Sequence, residues 1–426
     1  MNEYKELKEE YGTPEKYLYS LQRKGVKLGL DKIRDFLSNF GDPQEDYDKV
    51  LIGGTNGKGS VATLVSDILK EAGYKTGRFI SPHLCYFGER ITVNGEMITD
   101  NQLWELINEV KPVLERIDEE TPEKRPSFFE VLTSLSFMHY SDQDIDIAVL
   151  EVGMGGRLDA TNISKHKISA VTTIGIDHSK YLGSTKEQIA FEKAGIIKRG
   201  NYFVTGEKEE DLVEYFKKVC EDRGAFYHHA LDRDYEISPD PLTLSMPEYG
   251  KIKVPGVAGW QAENALVAIG IIEGLRKKGY EISDEVLKKA IEGSKLQGRM
   301  ETVTEKPWIM MDSAHNPAGM EALKEGLDTL DYNRLLLVIG VLEDKDHERI
   351  VKTIGPEADK VFTAEPVSKR KLDSQVLAEE FSVFAPSQCY EEGIEALEAA
   401  KKGWKEGDLI MVTGSIYLLG DIRRKM

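Results

Sequence analysis

At 426 residues the chain exceeds what one hydrophobic core usually organises, so two or three domains are expected. A formal charge of −18 argues against a nucleic-acid partner, because a phosphate-backbone binder needs a basic face. No apolar run of the roughly 18 residues that a membrane span requires is present, and the charged start MNEYKELKEEYG is not a signal peptide, so no membrane role is expected. Cys85, Cys220 and Cys389 are widely spaced with no CxxC, which reads as reduced thiols in a cytoplasmic protein without structural zinc.

The elements alternate along the chain. Val50-Leu51-Ile52 closes a short apolar strand, and the glycine-rich turn LIGGTNGKGS (51–60) follows. Val61, Leu64, Val65, Ile68 and Leu69 then recur at helical spacing. A strand, a glycine loop and a helix with Lys58 between them aim backbone N–H groups, a helix N-terminus and an ammonium at one point, which suits nucleotide phosphates. The match to GxxxxGK[ST] is imperfect, since position 52 is Ile and Gly59 displaces the hydroxyl to Ser60. A bare glycine turn with a surface lysine is the competing reading.

Gly77 to Ile80 leads into Ser81-Pro82-His83, a polar helix is expected at about 100–117, and an apolar one from Phe128 to Tyr140. Ile145 to Leu150 is a strand running into Glu151, and Ala170 to Ile176 a strand running into Asp177-His178. This βα repetition implies an α/β fold with a doubly wound, mostly parallel sheet whose ligands lie beyond the carboxyl ends of its strands. Residues 230–256 read as an antiparallel excursion before a helix from Gln261 to Leu275. A helix at 284–292 stops at Gly293, and fresh alternation follows: strands Trp308 to Met311, Leu335 to Ile339, Lys360 to Thr363 and Leu409 to Val412. Four parallel strands there make a smaller Rossmann-like domain without GxGxxG, which divides the chain into 1–297 and 298–426.

Several polar residues sit at ligand edges. Glu151 ends an apolar strand where a carboxylate in a nucleotide-binding sheet would hold Mg²⁺, and Gly153, Gly155 and Gly156 after it let backbone approach a ligand closely. His178 alone reads as a loop residue, since imidazole is an unusual Mg²⁺ ligand. Lys193, in IAFEKAGIIKRG, reads by spacing as a solvated lysine on a helix whose Ile189, Ile196 and Ile197 face the core. Asp312 ends the strand WIMM and opens Ser313-Ala314-His315-Asn316-Pro317 before a helix. An aspartate there could hold a ribose, and the histidine could touch substrate or phosphate.

Nine segments in order now converge: GTNGKGS (54–60), SPHL (81–84), ERITVNGE (89–96), FFEVLT (128–133), LEVGMGGRLDATN (150–162), TTIGIDHSKYLG (172–183), EKAGIIK (192–198), LQGRME (296–301) and DSAHNP (312–317). From about Tyr17 to its end the chain resembles the folylpolyglutamate synthase/dihydrofolate synthase group of the Mur ligase superfamily. Cell-wall ligases resemble it less, because they carry two hydroxyl residues directly after the lysine where this chain has Gly59-Ser60.

The resemblance implies ATP phosphates on Gly57, Lys58, Gly59 and Ser60, and Mg²⁺ on Ser81, Glu151 and His178. Lys193 matches a lysine carbamylated by CO₂, and Asn264, Arg299 and Asp312 match nucleotide contacts. ATP would then bridge two domains whose closure excludes water. The implied reaction has a folate or dihydropteroate carboxylate attack the γ-phosphate, after which L-glutamate displaces phosphate, with His315 and Ser313 positioning glutamate. The expected protein is a monomer with small-molecule substrates. A Mur-type ligase acting on a non-folate carboxylate and a nucleotide-controlled binding protein are the rival readings. Two departures are Leu51, where many relatives carry His, and Cys85-Tyr86-Phe87 after SPHL.

Overall fold

The apolar run that ends at Gly53 is the axis of the first sheet. The computed structural model describes residues 3–22, 29–177, 179–239 and 241–426. Eight strands form this sheet: β1 (Asp48–Gly53), β2 (Thr76–Phe79), β3 (Ile91–Val93), β4 (Glu96–Met97), β5 (Ile147–Glu151), β6 (Ile168–Val171), β7 (Tyr202–Thr205) and β8 (Phe226–His229). Their order is β4-β3-β2-β5-β1-β6-β7-β8. All pairings from β2 to β8 are parallel, and β3 and β4 add an antiparallel margin. β1 is fully covered from Val50 to Ile52, as a central parallel strand must be.

Helices cover the sheet because their apolar residues recur on one side. Helix Lys58–Glu71 buries Val61, Leu64, Val65, Ile68 and Leu69. Helices Asp100–Glu120 and Phe128–Asp142 each start on a capping box, Thr99 with Gln102 and Ser127 with Glu130, which satisfies N–H groups the first turn leaves open. Strand β6 is shorter than the spacing suggests and stops at Val171. Beyond it Thr172, Thr173 and Gly175 bond to the glycine loop, and Ile174 N–H donates to Glu207.

Two further sheets follow in the chain. β9 (Glu236–Pro239), β10 (Leu242–Met246) and β11 (Gly250–Lys253) form the antiparallel excursion. The last sheet contains β12 (Glu301–Glu305), β13 (Trp308–Met311), β14 (Leu335–Ile339), β15 (Lys360–Ala364), β16 (Ser387–Tyr390) and β17 (Leu409–Thr413). It runs β12-β13-β17-β14-β15-β16, parallel except for β12. The four strands expected there are β13, β14, β15 and β17. The two additional ones, ETVTE and SQCY, are polar and lie at the sheet's edges, where little apolar pattern is required.

The chain separates into two compact units. One holds the described residues up to Ser81, Phe87–Arg233 and Asn264–Ile291, and with them the first sheet. The other holds Pro82–Tyr86, Asp234–Glu263 and Glu292–Met426, and with them the other two sheets. Among the described residues no helix is long and apolar enough to cross a membrane.

The first unit buries two neutral imidazoles. His166 Nε2 lies 2.7 Å from the Ile196 carbonyl, and burial pushes its pKa, like that of His139, from 6.5 down to about 4. A lowered folded-state value means the stabilisation is complete above 6.5 and is lost as pH falls toward about 4. Urea midpoints should therefore drop over that window, and the drop should be shallower in His166→Gln, which keeps a donor without a titrating ring. Equal slopes for the two proteins would contradict this.

Candidate active site

Four neighbouring strands of the first sheet, β2, β5, β1 and β6, deliver polar residues to one edge. At the end of β1 the chain turns through Gly54 and Gly57, whose φ angles are +140° and +85°. A Cβ on Gly54 would lie 1.8 Å from Thr172 Oγ1, and one on Gly57 would lie 2.4 Å from Asn264 Oδ1. Both positions thus need glycine for conformation and for space. Gly57 caps the helix that starts at Lys58, with Gly59 and Ser60 in its first turn. Lys58 Nζ donates to the carbonyls of Gly54 (3.1 Å) and Thr55 (3.0 Å). Ser60 Oγ is buried and has no hydrogen-bond partner among the described residues. Gly57 and Asn264, far apart in sequence, are therefore neighbours, as a shared ligand would require.

Ser81 follows β2, and its N–H donates to Glu151 Oε2 at the end of β5 (3.0 Å). That pairing joins two of the three expected metal ligands. His178, the third, lies outside the described residues. Among the described residues no group of three His, Cys, Asp or Glu side chains converges.

Lys193 is not solvated. It is four residues past Ile189 on helix Lys186–Ala194 and shares its buried face, leaving it 3% exposed. Its Nζ donates to the Gly54 carbonyl at 2.7 Å, so the Lys58 and Lys193 ammonium groups meet on one oxygen. Burial, and after it the Lys58 charge, lower its pKa against the opposing Asp177 and Asp159, leaving it at about 7. At neutral pH a substantial share of Lys193 is therefore the free amine.

The glycine loop after Glu151 holds this lysine in place. A Cβ on Gly156 would lie 3.2 Å from Lys193 Cα, so the loop packs on the lysine's own backbone. Asn162 Nδ2 donates to the carbonyls of Gly156 (3.1 Å), Arg157 (3.2 Å) and Gly195 (3.2 Å). Asp159 accepts from the N–H groups of Met154 (2.9 Å) and Thr161 (3.0 Å), and burial raises its pKa. Arg157 pairs with Glu192 at 2.8 Å. The segment after β7 carries a further buried carboxylate that the sequence reading passed over, Glu207, which accepts from Ile174 N, past the end of β6, at 2.6 Å. Its signal was available, since Glu207 lies two residues past β7 as Glu151 lies at the end of β5.

The second unit gathers its own candidates at the end of β13. Asp312 is buried, accepts from the N–H groups of Met300 (2.9 Å) and Ala314 (2.8 Å), and is held above its usual pKa by burial while Arg299 opposes the shift. Ser313 N–H donates to the Gly298 carbonyl (3.0 Å), and Ser313 Oγ is buried without a partner among the described residues. His315 Nδ1 lies 2.9 Å from the Ser313 carbonyl, and Asn316 caps helix Pro317–Leu327.

Comparison with known proteins gives the chain's family. The profile for the Mur ligase middle domain matches residues 52–272, and that for the Mur ligase, glutamate ligase domain matches 298–416. The dihydrofolate synthase/folylpolyglutamate synthase of Bacillus subtilis is 32% identical over 98% of this chain and 99% of its own length. The chain belongs to the dihydrofolate synthase/folylpolyglutamate synthase family of Mur ligases. A solved member, Mycobacterium tuberculosis folylpolyglutamate synthase complexed with ADP, superposes with a TM-score of 0.88 at 30% identity, covering 96% of this chain and 97% of that one. A bifunctional folylpolyglutamate synthase/dihydrofolate synthase with Mn, AMPPNP and L-glutamate bound gives 0.84 at 25% identity, covering 97% and 98%. The family fold is thus the one built above, a doubly wound sheet domain with a smaller Rossmann-like one.

The close fit of the glycine loop gives a direct check. In Gly57→Ala the new Cβ meets Asn264 at 2.4 Å in left-handed backbone, which costs roughly 1–2 kcal/mol before any relaxation. The thermal midpoint should fall by several degrees. A Gly57→Ala midpoint equal to the original would show that the loop relaxes freely.

Proposed function

We propose that the protein is an ATP-dependent ligase that adds L-glutamate to a folate, to dihydropteroate, or to both, through an acyl phosphate. The observation that carries this reading is the meeting of Lys58 and Lys193 on the Gly54 carbonyl at the N-terminus of a fourteen-residue helix. The Lys58 ammonium, helix N–H groups and the unpartnered Ser60 Oγ form a cradle for transferring phosphoryl oxygens, with Lys193 beside it. The relatives' names and the ADP, AMPPNP, Mn and L-glutamate held by the solved members support the same chemistry.

In this reading Gly57, Lys58, Gly59, Ser60 and Asn264 hold the ATP phosphates, and Arg299 and Asp312 contact the nucleotide from residues 298–426, taken as the C-terminal domain. A divalent cation fits the oxygen-rich Glu151 and Ser81 pair, with His178 as third ligand, and when bound it neutralises phosphate charge. The acceptor carboxylate attacks the γ-phosphorus and ADP leaves. The glutamate amine then attacks the acyl carbon, phosphate departs, and the amine loses its proton. Ser313 and His315 position the incoming glutamate. The reading places this work in the cytoplasm.

Purified protein with ATP and Mg²⁺ should release phosphate only when glutamate and either tetrahydrofolate or 7,8-dihydropteroate are both present. Lys58→Ala should lower that rate on the order of 10²–10³-fold. Phosphate release with neither acceptor, but with another carboxylate and an amino acid, would favour the non-folate Mur reading.

Carbamylation of Lys193 belongs to the same proposal. CO₂ adds to the neutral amine, and a pKa of about 7 supplies that form at physiological pH. Protein equilibrated with ¹³C-bicarbonate should show a carbamate resonance that grows as pH rises through 7 and is missing from Lys193→Ala. Lys193→Ala should be nearly inactive and partly rescued by acetate. Full activity of Lys193→Ala with no resonance in the parent protein would contradict the assignment.

A further inference from the structure

We propose that Thr55 and Glu207 are positioning residues that lock segment 172–177 to the glycine loop, so that phosphate-binding and metal-binding residues keep one fixed spacing. This deepens the reading above and rests on it.

The regular ladder between β1 and β6 ends with Gly53 opposite Val171. Beyond that point the two chains would diverge, yet they stay joined. Thr172 N–H donates to the Gly53 carbonyl (3.0 Å), and Thr55 N–H donates to the Thr173 carbonyl (2.7 Å). The Thr55 hydroxyl then serves both groups of one residue, accepting from Gly175 N (2.9 Å) and donating to Gly175 O (3.0 Å). Thr172 Oγ1 returns the contact by donating to the Asn56 carbonyl at 2.5 Å. Two threonine hydroxyls thus replace the missing rungs, and the double contact of Thr55 needs a side chain that both donates and accepts.

Glu207 holds the same segment from the other side. Its Oε2 accepts from Ile174 N (2.6 Å), and its Oε1 accepts from the N–H groups of Lys208 (2.9 Å) and Glu209 (3.1 Å). The carboxylate is only 4% exposed, and a buried charge with this many N–H donors is oriented by all of them. Ile174 and Gly175 are therefore pinned between β1's loop and β7's. Two residues further on, Asp177 acts electrostatically on Lys193, and His178 follows it in sequence. A shift in this segment would move those groups relative to Lys58.

Mn²⁺ binding in the presence of ADP, read from the electron-spin resonance of free Mn²⁺ without turnover, tests this. Thr55→Val keeps the side chain's shape and removes the hydroxyl, and it should weaken Mn²⁺ binding on the order of 10-fold. Thr55→Ser should restore binding close to the parent value, a rescue that a purely steric role would not give. Glu207→Gln should weaken binding in the same direction, with folding checked by far-ultraviolet circular dichroism; if it does not fold, the Thr55 pair decides alone. Thr55→Val binding Mn²⁺ like the parent, or Thr55→Ser failing to restore it, would overturn the inference while the parent's folate- and glutamate-dependent phosphate release still supported the function. A parent protein that binds no Mn²⁺ with ADP would remove both.

Discussion

A lysine buried beneath a glycine loop is the constraint around which this site is organised. Lys193 Nζ reaches the Gly54 carbonyl at 2.7 Å, in a place water scarcely enters and where Lys58 already donates to the same oxygen. Burial disfavours the charge on Lys193, repulsion from Lys58 adds to it, and together they bring its pKa down to about 7, so that it spends much of its time neutral. Everything nearby serves that geometry. Gly54 has no Cβ because Thr172 Oγ1 occupies its position, a Cβ on Gly156 would crowd the backbone of Lys193, and Asn162 ties the intervening turns together through three carbonyls.

Sheet order explains why these residues meet at all. Ser81, Glu151, the glycine loop and segment 172–177 follow β2, β5, β1 and β6, which are consecutive in the sheet though not in the chain. The crossover that places β5 between β2 and β1 brings Glu151 beside both Ser81 and the glycine loop. Residues separated by seventy positions thus become hydrogen-bond partners. The second unit repeats the principle at the end of β13, where Asp312 closes the turn from Met300 to Ala314.

Much of this was legible in the sequence, for a physical reason. Parallel strands buried on both faces must be apolar, so a polar residue at the end of such a run stands out, and Glu151, Asp312 and the glycine loop are singled out that way. The periodicity of Lys58–Glu71 and Phe128–Asp142 likewise gave their helices. What escaped depends on contacts between distant segments. Lys193 looked solvated because its charge was weighed above its spacing, although it falls four residues after Ile189 on the same face. Thr55 and Thr172 act through backbone groups of each other's loops, which no local pattern encodes. Strands β12 and β16 lie at sheet edges with polar sequences, so neither period nor hydropathy marks them.

The central claim is that the loop at Lys58 directs the γ-phosphoryl group onto the acceptor's own carboxylate. An acceptor whose reacting carboxylate carries ¹⁸O decides this, because that oxygen bridges carbon and phosphorus in an acyl phosphate and leaves with phosphorus when the amide forms. The account predicts inorganic phosphate containing one ¹⁸O atom for each amide made. Unlabelled phosphate at full turnover would mean that the carboxylate never received the phosphoryl group, and would contradict it.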